Sequence, residues 1–247
     1  MPYGTTPALV LPVRCAHVSC KKRKLQEQPM TEVQTPRTAL RVDIVSDVVC
    51  PWCAVGYSQL ALAARHAGLA LDIHWQPFEL NPGMPPQGEN LREHLAAKYG
   101  STDEQSAQVR AQLTDLGAAL GFTFRFFDGM RIYNTFQAHQ LIEWADESGK
   151  GHEMKQALLH SYFTDGKDIS DPDILVETAE TIGLAGTEAR TALECGSHAD
   201  SVRQRQAFWT GQGIRGVPAM IFDGRHLVTG AQGVENCTSI LEQLGFA

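Results

Sequence analysis

The sequence predicts an α/β fold that is interrupted by a long helical insertion. Three observations support this prediction. A β-branched apolar segment at 40–49 is followed by a helical pattern and then by an alternating segment at 71–78, which makes a strand–helix–strand unit within about forty residues. Residues 90–211 carry almost only helical patterns, and extended segments return after residue 216.

The first strand–helix–strand unit is defined by three adjoining patterns. Residues 40–49 (LRVDIVSDVV) are nearly continuously apolar, as in a buried central strand. The helical pattern at 54–67 ends before Gly68, and helices commonly end at a glycine. Residues 71–78 (LDIHWQPF) alternate apolar and polar side chains, which predicts a second strand.

A breaker segment at 81–87 (NPGMPPQ) marks the beginning of the insertion. Helices are predicted over residues 90–99, 102–120, 135–148, 152–163, 172–183 and 196–210. Only residues 122–127 (FTFRFF) look extended in this stretch. We therefore expect a helical insertion at 85–211, within a sheet domain formed by residues 39–84 and 212–247.

The sheet is predicted to resume near the carboxyl end of the chain. Residues 217–222 (VPAMIF) predict a strand, and Asp223-Gly224 predicts a two-residue hairpin turn. A strand over 226–229 follows, and an amphipathic helix at 233–245 closes the domain.

Two cysteines stand directly after the first strand, in the motif Cys50-Pro51-Trp52-Cys53. Thiols at this spacing can close a small disulfide ring, and Pro51 suits the first turn of a helix. The unpaired N–H groups and dipole at a helix start favour a thiolate at Cys50. Cys53 lies about one turn further in and is expected to be shielded, which suits a thiol that resolves a mixed disulfide.

A CxxC motif alone does not distinguish redox chemistry from zinc binding. Zinc would need two further ligands at similar spacing, and no second CxxC is present, so no metal is expected. Half-buried helix cysteines without chemistry are the remaining alternative. The motif lies where ligands of open α/β sheets bind, which favours redox chemistry.

The second half of the site is predicted at Gly216-Val217-Pro218. Proline cannot donate to a sheet ladder, so its place at the start of an apolar strand needs an explanation. We expect a cis Val217–Pro218 bond facing the CxxC, with the Val217 backbone free to pair with an extended substrate. A trans proline at a strand start is the alternative, and cis bonds are only about 5–6% of X–Pro bonds.

Four further residues have alternative interpretations. Asp47 is either a helix cap or a buried group that tunes Cys53 or accepts its proton. Trp52 is expected to be an exposed aromatic that contacts substrate. Asn134 and His139 could line the cleft from the insertion, although a hydrogen-bonded helix histidine is the expected reading of His139.

Together these motifs resemble the DsbA-like branch of the thioredoxin superfamily, most closely its FrnE type. The resemblance includes the segments NTFQAH at 134–139 and LHSYF at 159–163 and covers residues 40–247. It implies a thioredoxin fold with a large all-helical insertion. It also implies Cys50 as the attacking thiol, Cys53 as the resolving thiol and Pro218 as the cis-proline.

The resemblance implies a thiol–disulfide oxidoreductase that acts on protein or small-molecule thiols and disulfides. Pro51, Trp52, Val217 and Asn134 would contact the substrate. The same branch contains glutathione-dependent isomerases and transferases of small aromatic compounds, which carry serine at the position of Cys50. Keeping both cysteines favours disulfide exchange, with no required cofactor, although glutathione could serve as reductant or co-substrate. A homodimer and a binding module without catalysis stay open.

Composition narrows the partners and the compartment. The chain has 247 residues, 43% hydrophobic residues and a net charge of −7, which argues against nucleic acid. No apolar run approaches the roughly 18 residues of a membrane span. Residues 1–38 have a basic cluster at 21–24 and no secretory pattern, so a disordered tail and a cytoplasmic protein are expected. Met30 could be the natural start, and Cys15 and Cys20 are expected to be unstructured thiols.

Overall fold

A computed structural model describes residues 39–246 of the chain. Its strands are β1 (Leu40–Ser46), β2 (Leu71–Pro77), β3 (Glu89–Asn90), β4 (Arg131–Ile132), β5 (Ala219–Phe222) and β6 (His226–Thr229). Its helices are α1 (Pro51–His66), α2 (Leu91–Tyr99), α3 (Asp103–Leu120), α4 (Phe136–Asp146), α5 (Gly151–Phe163), α6 (Pro172–Thr181), α7 (Gly186–Cys195), α8 (Ala199–Gly211) and α9 (Val234–Gln243). The predictions for the tail, Met30, Cys15 and Cys20 lie outside the described residues.

The main sheet has four strands in the order β2-β1-β5-β6. Strand β1 pairs in parallel with β2 and antiparallel with β5, and β5 pairs antiparallel with β6. The register places Val45 of β1 opposite Ala219 of β5. This pairing brings the residue after Pro218 next to the end of the strand that leads into the CxxC, and it confirms the predicted α/β fold class.

One buried apolar cluster contains residues of the sheet, of the helices α1 and α9, and of the insertion. It includes Ile44 of β1, Leu60 of α1 and Leu241 of α9, together with Leu141 of α4 and Leu158 of α5. Helices α5 and α8 pack against β2. The insertion therefore lies against the edge strand and shares its core with the sheet.

The insertion differs from the prediction in three places. Helix α7 was not predicted, because Ala185 at its N-cap offers no side-chain hydrogen bond and the sequence shows no start signal. A two-residue pairing of β3 with β4 adds a small antiparallel ladder to a region expected to be all helical. Residues 122–127 belong to no strand, and the rings of Phe122, Phe124 and Phe126 pack on Phe163 of α5.

The hairpin between β5 and β6 is one residue longer than predicted. Phe222 pairs with His226, so Asp223, Gly224 and Arg225 form a three-residue loop. Asp223 and Gly224 both have positive φ, at 52° and 67°. A left-handed pair at this position fits an aspartate followed by a glycine, the two residue types that the turn prediction used.

Candidate active site

The two cysteines of the CxxC motif lie at the beginning of α1. Cys50 is the N-cap residue with extended backbone, and Pro51 occupies the first turn. Both thiols are free, with relative exposures of 4% for Cys50 and 0% for Cys53. The backbone N–H of Cys53 donates to the Cys50 carbonyl at 3.1 Å, which fixes the turn. Cys50 is thus the sulfur nearer to solvent, and Cys53 is shielded as predicted.

The Val217–Pro218 segment faces the dithiol, and its peptide bond is cis as predicted. The thiol of Cys50 donates to the Val217 carbonyl, with 3.7 Å between sulfur and oxygen. Gly56 lets α1 approach this segment closely, because a Cβ at that position would come within 3.2 Å of Pro218 Cγ. The absence of a side chain at Gly56, one turn after Cys53, therefore leaves room for Pro218 beside the dithiol.

Asp47 lies buried beneath the CxxC, and it does not cap α1. Its Oδ1 accepts the N–H of Val48 and its Oδ2 accepts the N–H of Leu80, both at 2.7 Å. His139 Nε2 lies 3.3 Å from Oδ1. Burial raises the pKa of Asp47, but the His139 hydrogen bond and charge, with help from Leu80, outweigh it and lower the pKa. The cap interpretation of Asp47 is therefore wrong, and the buried-group interpretation describes its position.

Lys155 of α5 is the principal residue that the sequence interpretation missed. Its side chain is buried, with a relative exposure of 1%, and burial lowers its pKa to about 8. The charges of Cys53, Asp47 and Cys50 act in the opposite direction, which places its ammonium group within their electrostatic reach. The same ammonium group lies 5.3 Å from the centroid of the Trp75 ring.

A sequence signal for Lys155 does exist. It shares one helix face with Leu158, Leu159 and Tyr162, at spacings of three, four and seven residues, and all four are buried. A lysine in the middle of an apolar stripe is unusual, because a buried ammonium group is costly unless it is paired. That position alone could have marked it as functional.

The pKa values of the two thiols depend on each other, because a hydrogen bond joins Cys50 and Cys53. The hydrogen bond to Cys53 raises the pKa of Cys50 well above its usual value, and burial adds to this effect. Burial also opposes ionisation of Cys53, but the hydrogen bond from Cys50 and the charge of Lys155 outweigh it and lower the pKa of Cys53. The low pKa that the helix start predicts for Cys50 stays a prediction. In this arrangement the hydrogen bond between the thiols keeps the proton on Cys50, and the charge of Lys155 favours the thiolate of Cys53.

Trp52, Asn134 and His139 were also predicted near the site, and their environments in the structure differ from one another. Trp52 is half-buried and packs on the main core, so it is not the fully exposed aromatic that was predicted. Asn134 accepts the N–H of Phe136 at 2.9 Å, which makes it a turn residue before α4. His139 is hydrogen-bonded, as expected, and its partner Asp47 places it in the buried cluster of the site.

The other two cysteines of the described region lie in other helices. Cys195 is exposed at the end of α7, whereas Cys237 is buried in α9. Within residues 39–246 no three His, Cys, Asp or Glu side chains are grouped as metal ligands would be. None of the helices in that range is both long enough and apolar enough to cross a bilayer.

Comparison with known proteins agrees with this geometry. A crystal structure described as a "probable DsbA oxidoreductase" from Streptomyces coelicolor shares 32% identity, with a TM-score of 0.76, over 83% of this chain and 89% of that one. The uncharacterized protein YwbO of Bacillus subtilis is 29% identical over 78% of this chain and 92% of its own length.

A third relative shows the same fold at lower identity. The cytosolic disulfide reductase DsbM of Pseudomonas aeruginosa, with structures solved alone and with GSH, is 21% identical with a TM-score of 0.58 in the former. That match covers 84% of this chain and 100% of DsbM. The model of the DSBA-like thioredoxin domain matches residues 41–242. The chain therefore belongs to the family of DsbA-like thioredoxin domains, as its motifs predicted.

Proposed function

We propose that this protein catalyses thiol–disulfide exchange with protein or small-molecule disulfides, using Cys50 and Cys53. The observation that carries the proposal is a pair of free, adjacent thiols at a helix start, with Cys50 against the Val217 carbonyl and Cys53 within reach of the Lys155 charge. A structural pair of cysteines would need no buried cation, because a neutral thiol packs as a small apolar group.

The reaction would proceed in two steps. The Cys50 thiol passes its proton to the Cys53 thiolate, and the resulting Cys50 thiolate attacks one sulfur of a substrate disulfide. The substrate S–S bond breaks, and one substrate thiolate leaves and takes a proton from water. Cys53 then loses its proton and attacks Cys50, which releases the second substrate thiolate and leaves a Cys50–Cys53 disulfide. The substrate gains two electrons, and the protein dithiol loses two.

Val217, Pro51 and Trp52 are proposed to contact the substrate. Val217 precedes β5 and takes no part in its strand ladder, so its backbone is placed to pair with an extended chain beside Cys50. Pro51 and Trp52 belong to the same turn and are each half-buried, so part of each side chain is open to a substrate. Asn134 acts only indirectly in this proposal, by ordering the start of α4.

Lys155 is proposed to favour the return of the Cys50–Cys53 disulfide to the dithiol at the end of each cycle. A cation near the sulfurs stabilises the reduced, thiolate form, and a stabilised reduced form makes a disulfide more oxidising. Glutathione is proposed as the small thiol that restores the starting state, as the structure of the related DsbM with GSH suggests. A cytoplasmic location is proposed on the same relationship to a cytosolic protein.

The central experiment follows exchange with oxidised glutathione and with a labelled disulfide peptide. Cys50→Ser should abolish exchange, whereas Cys53→Ser should accumulate a mixed disulfide on Cys50 that mass spectrometry detects. Cys195→Ser and Cys237→Ser are matched controls and should retain full activity. Exchange by the Cys50→Ser variant at the rate of the unaltered protein would refute the proposal.

A further inference from the structure

The resolving step requires a proton to leave a buried site. Cys53 and Asp47 have relative exposures of 0%, Lys155 has 1% and His139 has 4%. Before Cys53 can attack the mixed disulfide, the proton on its sulfur must pass to another group and then to solvent. The fold therefore needs a polar path between this cluster and water.

A small cavity lies on the insertion side of the cluster. It has a volume of about 20 Å³, and a polar cavity of roughly 10–15 Å³ or more can hold a water molecule. The cavity is lined by six ionisable or polar side chains from four elements, namely His139, Glu143, Asp146, Lys155, Gln76 and Arg205, and also by Trp75, Pro77, Ile142 and Gly151. It thus joins two members of the buried cluster, His139 and Lys155, to groups outside it.

Only one carboxylate oxygen of Glu143 in α4 has a hydrogen-bond partner among the described residues. Oε1 accepts a hydrogen bond from Ser201 and lies 3.7 Å from a guanidinium nitrogen of Arg205. Oε2 is buried and has no hydrogen-bond partner among the described residues. Buried carboxylate oxygens are normally hydrogen-bonded, so this oxygen is available to a water in the cavity that Glu143 lines.

Solvent lies on the far side of Arg205 and Gln76. These two residues also line an open groove with a volume of about 710 Å³, next to Trp209 of α8. Arg205 donates to Gln76 Oε1 at 3.0 Å, and Gln76 donates to Asp43 at 2.7 Å. The two side chains form a polar wall between the groove and the cavity, with Glu143 on its inner side.

We propose that Glu143 relays the proton of Cys53 from Lys155 to solvent during the resolving step. Lys155 first passes its own proton to the Glu143 carboxylate through a water molecule that the cavity can hold. The Glu143 carboxylic acid then releases the proton to solvent water, and Arg205 and Gln76 take no proton themselves. The neutral Lys155 amine then takes the proton from the Cys53 thiol, the Cys53 thiolate forms a bond to Cys50 Sγ, and the second substrate thiolate leaves. No redox partner is consumed beyond the substrate disulfide.

This inference rests on the proposed function, because it assigns a role within the second step of that reaction. The groups that face Glu143 are Arg205 and Ser201 from α8, His139 and Asp146 from its own helix, and Lys155 across the cavity. Arg205 keeps the carboxylate close to the wall, and Lys155 supplies the proton. Glu143 does not touch substrate, so it acts through Lys155.

The test separates the two steps of exchange by rapid mixing with oxidised glutathione, acid quenching and mass spectrometry. Glu143→Gln keeps the shape of the side chain, and it should leave formation of the Cys50 mixed disulfide unchanged while slowing its resolution by about tenfold or more. Glu143→Asp retains a carboxylate and should remain within about threefold of the unaltered rate. Glu147→Gln changes an exposed carboxylate at the end of the same helix and should have no effect.

Chemical rescue distinguishes a proton relay from a structural role. Glu143→Ala should resolve the mixed disulfide slowly, and added formate should restore the rate in proportion to its concentration, whereas chloride at equal ionic strength should not. Resolution by Glu143→Gln at the unaltered rate, or a loss that formate does not reverse, would overturn the relay. Failure of the unaltered protein to form any mixed disulfide would instead count against the proposed function itself.

Discussion

His139 Nε2 lies 3.3 Å from Asp47 Oδ1, and neither side chain is exposed by more than 3%. The two residues are 92 positions apart and come from different parts of the fold, since Asp47 follows β1 and His139 belongs to α4 of the insertion. This hydrogen bond and the position of Lys155 together place the insertion against the floor of the dithiol site. The insertion therefore contributes the charged and polar side chains of Lys155 and His139 to the site, in addition to packing against it.

Replacing His139 with leucine should destabilise the protein at neutral pH. The variant keeps a similar volume but leaves Asp47 with one donor fewer, which costs about 1–3 kcal/mol for a buried acceptor. The pKa of Asp47 is lowered in the folded protein, so its contribution is present above its ordinary pKa and is lost as the pH falls through the folded value. Urea unfolding at pH 7 should show the loss, and acid unfolding should begin at a higher pH.

His139→Gln is the matched control, because its side-chain amide can still donate to Asp47. It should lose less stability than His139→Leu and should unfold in acid closer to the unaltered protein. Equal losses for the leucine and glutamine variants would show that the ring packs rather than donates.

Lys155→Met should stabilise the protein and slow disulfide exchange. Burial lowers the pKa of Lys155 from 10.5 to about 8, so the folded protein binds this proton less tightly than the unfolded chain does. The resulting cost is on the order of 3 kcal/mol below pH 8, and it disappears as the pH rises toward 10.5. Urea unfolding should therefore show a gain at pH 7 that is absent near pH 10.5.

The same Lys155 variant should also change the thiols. Loss of the cation removes a charge that lowers the pKa of Cys53, so thiolate absorbance near neutral pH should decrease. Lys155→Arg is the control, because it keeps a cation, and it should retain more of the thiolate. An unchanged thiolate titration in Lys155→Met would show that the ammonium group does not act on the dithiol.

Alkylation should distinguish the four cysteines of the described region. Exposed Cys195 should react readily with iodoacetamide, and Cys50 should react before Cys53, because the reagent cannot reach a sulfur with 0% exposure. Cys237 should be protected, since burial raises its pKa to about 11. Peptide mapping at timed intervals measures this order, and labelling of Cys53 as fast as Cys50 contradicts it.

A glycine in the insertion should be more sensitive to substitution than one at its exposed end. A Cβ at Gly117 would come within 2.5 Å of the Phe122 carbonyl and of the Phe124 ring, so Gly117→Ala should destabilise by about 1–3 kcal/mol. Gly211→Ala at the end of α8 meets nothing within 4 Å and should be neutral or slightly stabilising. Thermal unfolding of the two variants tests the difference, and equal melting temperatures would contradict it.

Local chemistry determined what could be predicted from the sequence. The strand predicted at 40–49, which ends at Ser46 in the structure, and the helix that begins at Pro51 depend on residues that are adjacent in the chain. The cis bond at Pro218 was predicted from a distant motif, because a proline at a strand start was expected to face the CxxC. The dithiol could also be predicted, because the spacing of its cysteines and the strand before them are features of a few neighbouring residues. Helix α7 was missed, since it lacks a local start signal and is held by packing.

Tertiary structure alone decided which groups surround the dithiol. Lys155 and His139 are distant from the CxxC in sequence, and only the packing of α5 on β2 and of α4 on α5 brings them beneath it. The pKa of Cys53 also depends on that packing, because the charge of Lys155 lowers it. The prediction of a low pKa for Cys50 took into account only the backbone at the start of α1. The pKa of a buried thiol depends on every charge and hydrogen bond that the fold brings near it.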